Sequence, residues 1–303
     1  MKYQSDIKFA NARDLIDFFL RDERFRTRDR YSANSTGQNW NVFRGHSNTD
    51  WSLLASAFRD GSLDQFTPQP PAQVFTVDGR RRHMGNQLHA EARALYIFME
   101  SADAVGLSTP LDYTATNQGL ELIRAALNDN EHYDYREAFP GQSFHRATAF
   151  AQHYGVPTRF LDWSESALVA SYFAAYGASC FSDNPPKEGQ ELSVIFMRTS
   201  SSFTDDDFPI ELIKAPRHEN SHLERQKGVF TSIKHANAYF LENGRWPSVC
   251  EYQQLALSRV RLCASQANDL LRELFDLGVS RHTLMPTLHS AAQSYDYTKR
   301  LFG

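Results

Sequence analysis

A charged pair inside an apolar run constrains this chain more than any other feature. Residues 150–176 read Phe-Ala-Gln-His-Tyr-Gly-Val-Pro-Thr-Arg-Phe-Leu-Asp-Trp-Ser-Glu-Ser-Ala-Leu-Val-Ala-Ser-Tyr-Phe-Ala-Ala-Tyr. Gly155 and Pro157 close a helix, because Gly accepts the left-handed cap and Pro cannot continue the ladder. The spacing predicts a buried strand over Thr158–Trp163. Ser164 stands as N-cap for a helix over Glu165–Tyr176, which carries Leu168, Tyr172 and Ala175 on one stripe. Arg159 and Asp162 lie on the strand, where charge is costly unless paired or employed.

The rest of the 303 residues supports one large globular domain. Of these residues, 41% are apolar and 13% aromatic, enough for a sizeable core. The formal net charge of −4 provides no global basic field for nucleic acid. Local clusters occur at Arg21, Arg24, Arg26, Arg28 and Arg30, and at Arg80, Arg81 and Arg82 after an Asp-Gly turn. Such clusters form either a solvated face or a polyanion-binding patch. Three dispersed cysteines, Cys180, Cys250 and Cys263, point to a reducing compartment. No leader and no apolar run of membrane-spanning length is visible, so a cytoplasmic chain without a membrane partner is expected.

Asn11 caps a helix reaching Arg21, with Asp14 in its first turn and Leu15, Ile16 and Phe19 facing inward. Trp40–Gly45 alternates as a strand. Residues 60–86, rich in Pro and Arg, are expected to form an exposed excursion. Helices are predicted near 87–103, 116–128 and 143–154, and strands at Leu192–Arg198, Leu223–Thr231 and Arg259–Leu262. Two further helices follow, one capped by Ser265 and stopped by Gly278, the other over about 286–300. Without a strict strand–helix rhythm, α+β is favoured over a doubly wound sheet.

His218-Glu219-Asn220-Ser221-His222 matches the zinc-protease spacing, but Pro216 precedes it and Asn220-Ser221 disfavours the helix that would align both imidazoles. No metal site is expected. Phosphate-binding glycine loops and the serine nucleophile elbow are also absent.

Polar groups occupy strand-like positions at Phe43-Arg44-Gly45, at Gln152-His153 through Asp162-Trp163, and at Arg225-Gln226. On these residues the chain resembles the FRG-domain family, named for the Phe-Arg-Gly triplet. The following Trp51-Ser52-Leu53-Leu54 run to Arg59, the signature Gln152–Trp163, and the Ala170–Ala174 helix segment fit the same pattern. So do Gln226–Phe230, Leu274–Val279 and Pro286–Leu288, and the resemblance spans about residues 10–295.

The resemblance implies an ADP-ribosyltransferase-like split mixed/antiparallel sheet with surrounding helices, acting on NAD. It implies that Arg44, Asp162 and Gln226 are catalytic, with Arg44 as a fork-shaped phosphate or ribose donor. NAD would also meet Gly45, His153, Tyr154, Thr158, Arg159, Trp163 and Phe173, with Trp163 or Tyr154 stacking on nicotinamide. Arg80, Arg81 and Arg82 would meet an RNA substrate. Gln226 stands where the superfamily often has Glu, and the missing charge favours a nucleic-acid acceptor, with Asp162 or His153 as base. The implied role is a toxin of phage defence, with an antitoxin or chaperone partner. Alternatives from the same residues are a protein-directed ADP-ribosyltransferase, a non-catalytic nucleotide-sensing or interaction module, or a scaffold in which Arg44 or Arg159 pairs with Asp162.

Overall fold

A computed structural model describes residues 3–25, 40–70, 73–107, 109, 144–199, 203, 207–214 and 221–303, with the backbone alone at 221 and 222. The expected helix at 116–128, Arg26, Arg28 and Arg30, and His218 to Asn220 of the zinc-like motif lie outside these residues.

Among the described residues, seven strands form one mixed sheet: β1 (Ser5–Phe9), β2 (Asn41–His46), β3 (Leu161–Ser164), β4 (Glu191–Arg198), β5 (Ile210–Ile213), β6 (Gly228–Ile233) and β7 (Ser258–Cys263). Their spatial order is β1-β7-β4-β2-β3-β6-β5. β1 runs parallel to β7, and every other neighbour pair is antiparallel. β2 pairs with β4 along its whole length, from Asn41↔Arg198 to His46↔Ser193. Its register with β3 is confined to Phe43↔Ser164. The sheet is therefore sewn firmly within two halves and loosely between them.

Alternation explains the two cores, since successive strand residues face opposite sides. Phe43, Leu192, Val194, Phe196, Val260 and Leu262 pack on one side, and Val42, Leu161, Trp163, Ile195, Met197 and Val229 on the other. The first side is covered by α1 (Ala12–Arg21), a central helix Ala167–Tyr176, and the C-terminal helices. α1 follows its sequence signals: Asn11 accepts from the Asp14 N–H, and Leu15, Ile16 and Phe19 are buried.

α2 (Val77–Ala104) begins ten residues before the sequence expectation. Thr76 caps it by accepting from Gly79 N–H, and Asp78 sits favourably in the first turn. Residues 77–86 thus belong to a helix, with Met84 and Asn86 buried, rather than to an excursion. α3 (His145–His153) ends as expected before Gly155, whose φ of +87° suits a residue without Cβ.

α4 (Ala167–Tyr176) starts later than expected, and its cap is Ser166 rather than Ser164. The Ser164 hydroxyl instead donates to Gln226 O at 2.7 Å and accepts from Ser166 N at 3.0 Å. α4 is apolar around most of its circumference and accordingly buried. Its small residues let β2 approach closely: a Cβ on Gly45 would lie 2.0 Å from Ala170 O.

The predicted strand Leu223–Thr231 divides in two. Residues Ser221–Gln226 form α5, Lys227 turns the chain at φ +50°, and only Gly228–Ile233 is extended. α6 (Ala236–Asn243) follows, then α7 (Ala267–Asp276), which has Gln266 rather than Ser265 at its N-cap position. α8 (Arg281–Leu284) and α9 (Leu288–Phe302) complete the chain. All three cysteines are free, and no helix among the described residues is long and apolar enough to cross a membrane.

Candidate active site at the seam of the sheet

Where β2 and β3 part, an arginine from one lip meets an aspartate from the other. Arg44 Nη1 donates to the Asp162 carbonyl oxygen at 2.6 Å and lies 3.6 Å from its Oδ2. Arg44 Nε donates to His46 Nε2 at 3.1 Å, while Nη2 has no acceptor among the described residues. The Arg44 side chain is 15% exposed and that of Asp162 52%.

Asp162 is oriented from behind. Gln152 Nε2 donates to Asp162 Oδ2 at 2.8 Å, and Thr158 Oγ1 donates to Gln152 Oε1 at 2.5 Å. Thr158 Oγ1 in turn accepts from Phe160 N at 3.2 Å. The backbone holds the hydroxyl, the hydroxyl fixes the amide, and the amide fixes the carboxylate. Pre-set geometry of this kind is what a catalytic or ligand-binding carboxylate needs.

These lips border a cavity of about 280 Å³, whose walls include Arg44, Gln152, His153, Asp162, Phe173 and Gln226. That is near the small end of ligand pockets, which run from roughly 300 to 1,000 Å³. Gln226 reaches the cavity from the last turn of α5, and its Nε2 also points at Leu284 O, 3.5 Å away.

Burial lowers the pKa of Arg44, an effect the Asp162 carboxylate opposes. His46 is pushed down to about 3, first by burial and then by the Arg44 and Arg59 charges. It is therefore neutral at physiological pH, with its proton on Nδ1 so that Nε2 can accept from Arg44. Because the folded pKa lies below the unfolded value, the unfolded chain binds the extra proton between about pH 6.5 and pH 3. Stability should be intact above pH 6.5 and fall as pH drops through that window. Melting curves from pH 7 to pH 4 should show a shallower loss in His46→Gln than in the wild type. The loss should not vanish, since burial also depresses His83 and His145.

The expected site residues separate into groups. Arg44, Gly45, His153, Asp162, Trp163, Phe173 and Gln226 all border the one cavity. The Trp163 ring, however, belongs to the core, and its Nε1 donates to Thr231 Oγ1 at 2.9 Å, so stacking on a ligand is not its position. Tyr154 is 56% exposed, packs on Phe98 and Phe150, and stands outside the cavity. Thr158 lies behind the wall. Arg159 faces elsewhere, bonded to Glu91 and Asn237 rather than to Asp162. Arg80 clamps the end of α6 by donating to Leu241 O and Glu242 O, and neither it, Arg81 nor Arg82 borders the cavity.

In the sequence Gln152 stands out only as part of the Gln152–Trp163 motif, not for its place behind Asp162. Its signal is local: Gln152, Thr158 and Asp162 span eleven residues across one turn. No group of three or more His, Cys, Asp or Glu among the described residues could hold a metal.

No curated protein and no solved structure matches the chain. One family model does, over residues 39–182, a stretch that contains Arg44, Gln152, Thr158 and Asp162 but not Gln226. It is that of the FRG domain, and the segment that matches it builds both lips of the cavity.

Proposed function

We propose that the seam cavity binds NAD and that the protein is an NAD-dependent ADP-ribosyltransferase. The single observation that carries this reading is convergence: Arg44, Asp162 and Gln226, from three separate segments, border the same cavity. The residues fit such a ligand. Arg44 offers Nη2 to a phosphate or ribose oxygen, Phe173 offers an apolar wall, and Asp162 offers a half-exposed, oriented carboxylate. The volume suits the ribose and nicotinamide end, with the rest of the dinucleotide across the mouth.

Bound NAD supplies the ADP-ribosyl group. Arg44 binds, Gln226 hydrogen-bonds ribose hydroxyls, and Asp162 takes the proton from the acceptor while Gln152 and Thr158 hold it in place. With an uncharged amide at position 226, the acceptor we favour is nucleic acid, RNA first, in a toxin of phage defence held by an antitoxin. Arg80 adds nothing to that choice, since it is occupied within the fold.

The test is incubation of purified protein with labelled NAD and RNA, DNA or lysate protein. Label on RNA together with released nicotinamide is expected; label on protein alone would remove the acceptor claim, and no label and no nicotinamide would remove the enzyme. Arg44→Ala should abolish transfer while the melting temperature stays within a few degrees. One observation favours a second reading, a nucleotide-sensing module without turnover: Gln226 carries no charge and leans on Leu284 O. That reading predicts saturable NAD binding, no nicotinamide, and indifference to Gln226→Ala.

A further inference from the structure

A second, smaller cavity of about 140 Å³ lies between the end of α4, α8 and α9, away from the seam. Three polar atoms of the residues in its wall are buried without a partner among the described residues: Arg281 Nε, Gln293 Oε1 and Tyr297 Oη. Tyr297 is only 3% exposed, so its hydroxyl cannot simply turn to bulk water. Buried polar atoms are rarely left unmet, and three in one polar cavity mark a place built for something to sit.

The donor set says what. Arg281 Nη1 donates to the Tyr176 hydroxyl, which leaves Nε, and the hydroxyl protons of Tyr176 and Tyr297, as donors from three elements. Arg300 adds a second cation, tied to Asp296 Oδ2 at 2.9 Å, so the lining carries two positive charges against one negative. Several donors around a net positive charge suit an oxyanion. Gln293 Oε1 is the exception, an acceptor that a fully deprotonated anion cannot satisfy. Monohydrogen phosphate, or a phosphate group still carrying a proton, presents acceptor oxygens and one O–H together.

We propose that Arg281, Gln293 and Tyr297 form a second site, which binds a phosphate-type oxyanion. It shares α8 with the seam, since Leu284 at the other end of that helix offers its carbonyl to Gln226. The proposal goes beyond NAD chemistry and stands or falls separately from it.

Isothermal titration of the full chain with inorganic phosphate, in chloride buffer, should give saturable one-site binding. A parallel arm with ribose 5-phosphate separates free phosphate from a phosphomonoester as the natural source, and binding of either supports the site. Tyr297→Phe should weaken binding tenfold or more, yet not lower the melting temperature in phosphate-free buffer, because the deleted hydroxyl had no partner. A purely structural tyrosine would show the opposite pattern. Gln293→Glu, which adds a negative charge, should weaken binding likewise, whereas Arg44→Ala at the seam should leave it intact. Absence of saturable binding to either probe, which would mean a cavity filled by water only, overturns the proposal. So does wild-type affinity in both Tyr297→Phe and Gln293→Glu, or loss of binding in Arg44→Ala.

Discussion

Glu91→Ala is expected to destabilise the protein by about 3–5 kcal/mol, because it leaves a guanidinium buried and unpaired. Arg159 is held as a fork: Nε donates to Glu91 Oε2 at 2.8 Å and Nη2 to Glu91 Oε1 at 3.0 Å. Nη1 donates to Asn237 Oδ1 at 3.1 Å, and the Phe58 ring lies 5.5 Å from the guanidinium carbon. Side-chain exposure is 7% for Arg159 and 4% for Glu91, so water cannot replace the lost carboxylate. Against a typical total stability of about 5–15 kcal/mol, such a loss decides whether the chain folds. Thermal melts should show a fall of roughly 10 °C or more, or the variant should be recovered only as aggregate. The double variant Glu91→Leu with Arg159→Met should regain most of the loss, since an apolar pair of similar size is often as stable as the buried ions it replaces. A Glu91→Ala protein that melts within a degree or two of wild type would show that this pair is not what ties α2 to the strand approach and α6.

This pair also separates two arginines that look alike in the sequence. Arg44 and Arg159 both sit in apolar strand-like runs near Asp162, and either is a reasonable scaffold partner for it. What distinguishes them is Glu91, which lies on α2, 68 residues before Arg159, and no local spacing announces it. The scaffold role therefore goes to Arg159, and the cavity keeps Arg44.

Elements with both a cap and a stripe were legible: α1 from Asn11 with Leu15, Ile16 and Phe19, and the end of α3 from Gly155. The start of α2 was masked by Gly79 and three arginines, although Thr76 supplies the cap. β1 and β5 escaped notice because they are short edge strands, five and four residues long, each with partly exposed positions. β1 is moreover completed by β7, some 250 residues away, and pairing at that separation leaves no local trace. The sequence pattern puts Gln226 on a strand because Leu223–Thr231 is rich in strand formers after Gly228. The left-handed turn at Lys227, which ends α5 and aims the amide at the cavity, is unusual for a residue with a side chain. Candidate residues at the cavity are easier to pick out than their geometry, since charge in an apolar run is conspicuous, whereas the direction it points depends on distant elements.

Asp162→Asn should then be the sharpest probe of the seam. The Asp162 side chain is half exposed, and Arg44, which loses a counter-charge 3.6 Å away, keeps its hydrogen bond to the Asp162 carbonyl oxygen, so the melting temperature should fall by no more than a few degrees. The new amide oxygen can still accept from Gln152 Nε2, which preserves the geometry and deletes only the basicity. If Asp162 takes the acceptor's proton, kcat should fall by roughly 10²–10⁴, the usual contribution of a positioned general base, while NAD affinity changes little. Thr158→Val, two hydrogen bonds further back, should cost on the order of tenfold by letting the Gln152 amide, and with it the carboxylate, drift from its aim. Steady-state rates of nicotinamide release and label transfer, alongside melting curves and NAD titrations, distinguish the outcomes. Transfer at the wild-type rate in Asp162→Asn would remove the carboxylate from the chemistry. A parallel loss of rate and stability would assign it to holding the β2–β3 seam, where Arg44 already grips the same residue through its carbonyl oxygen.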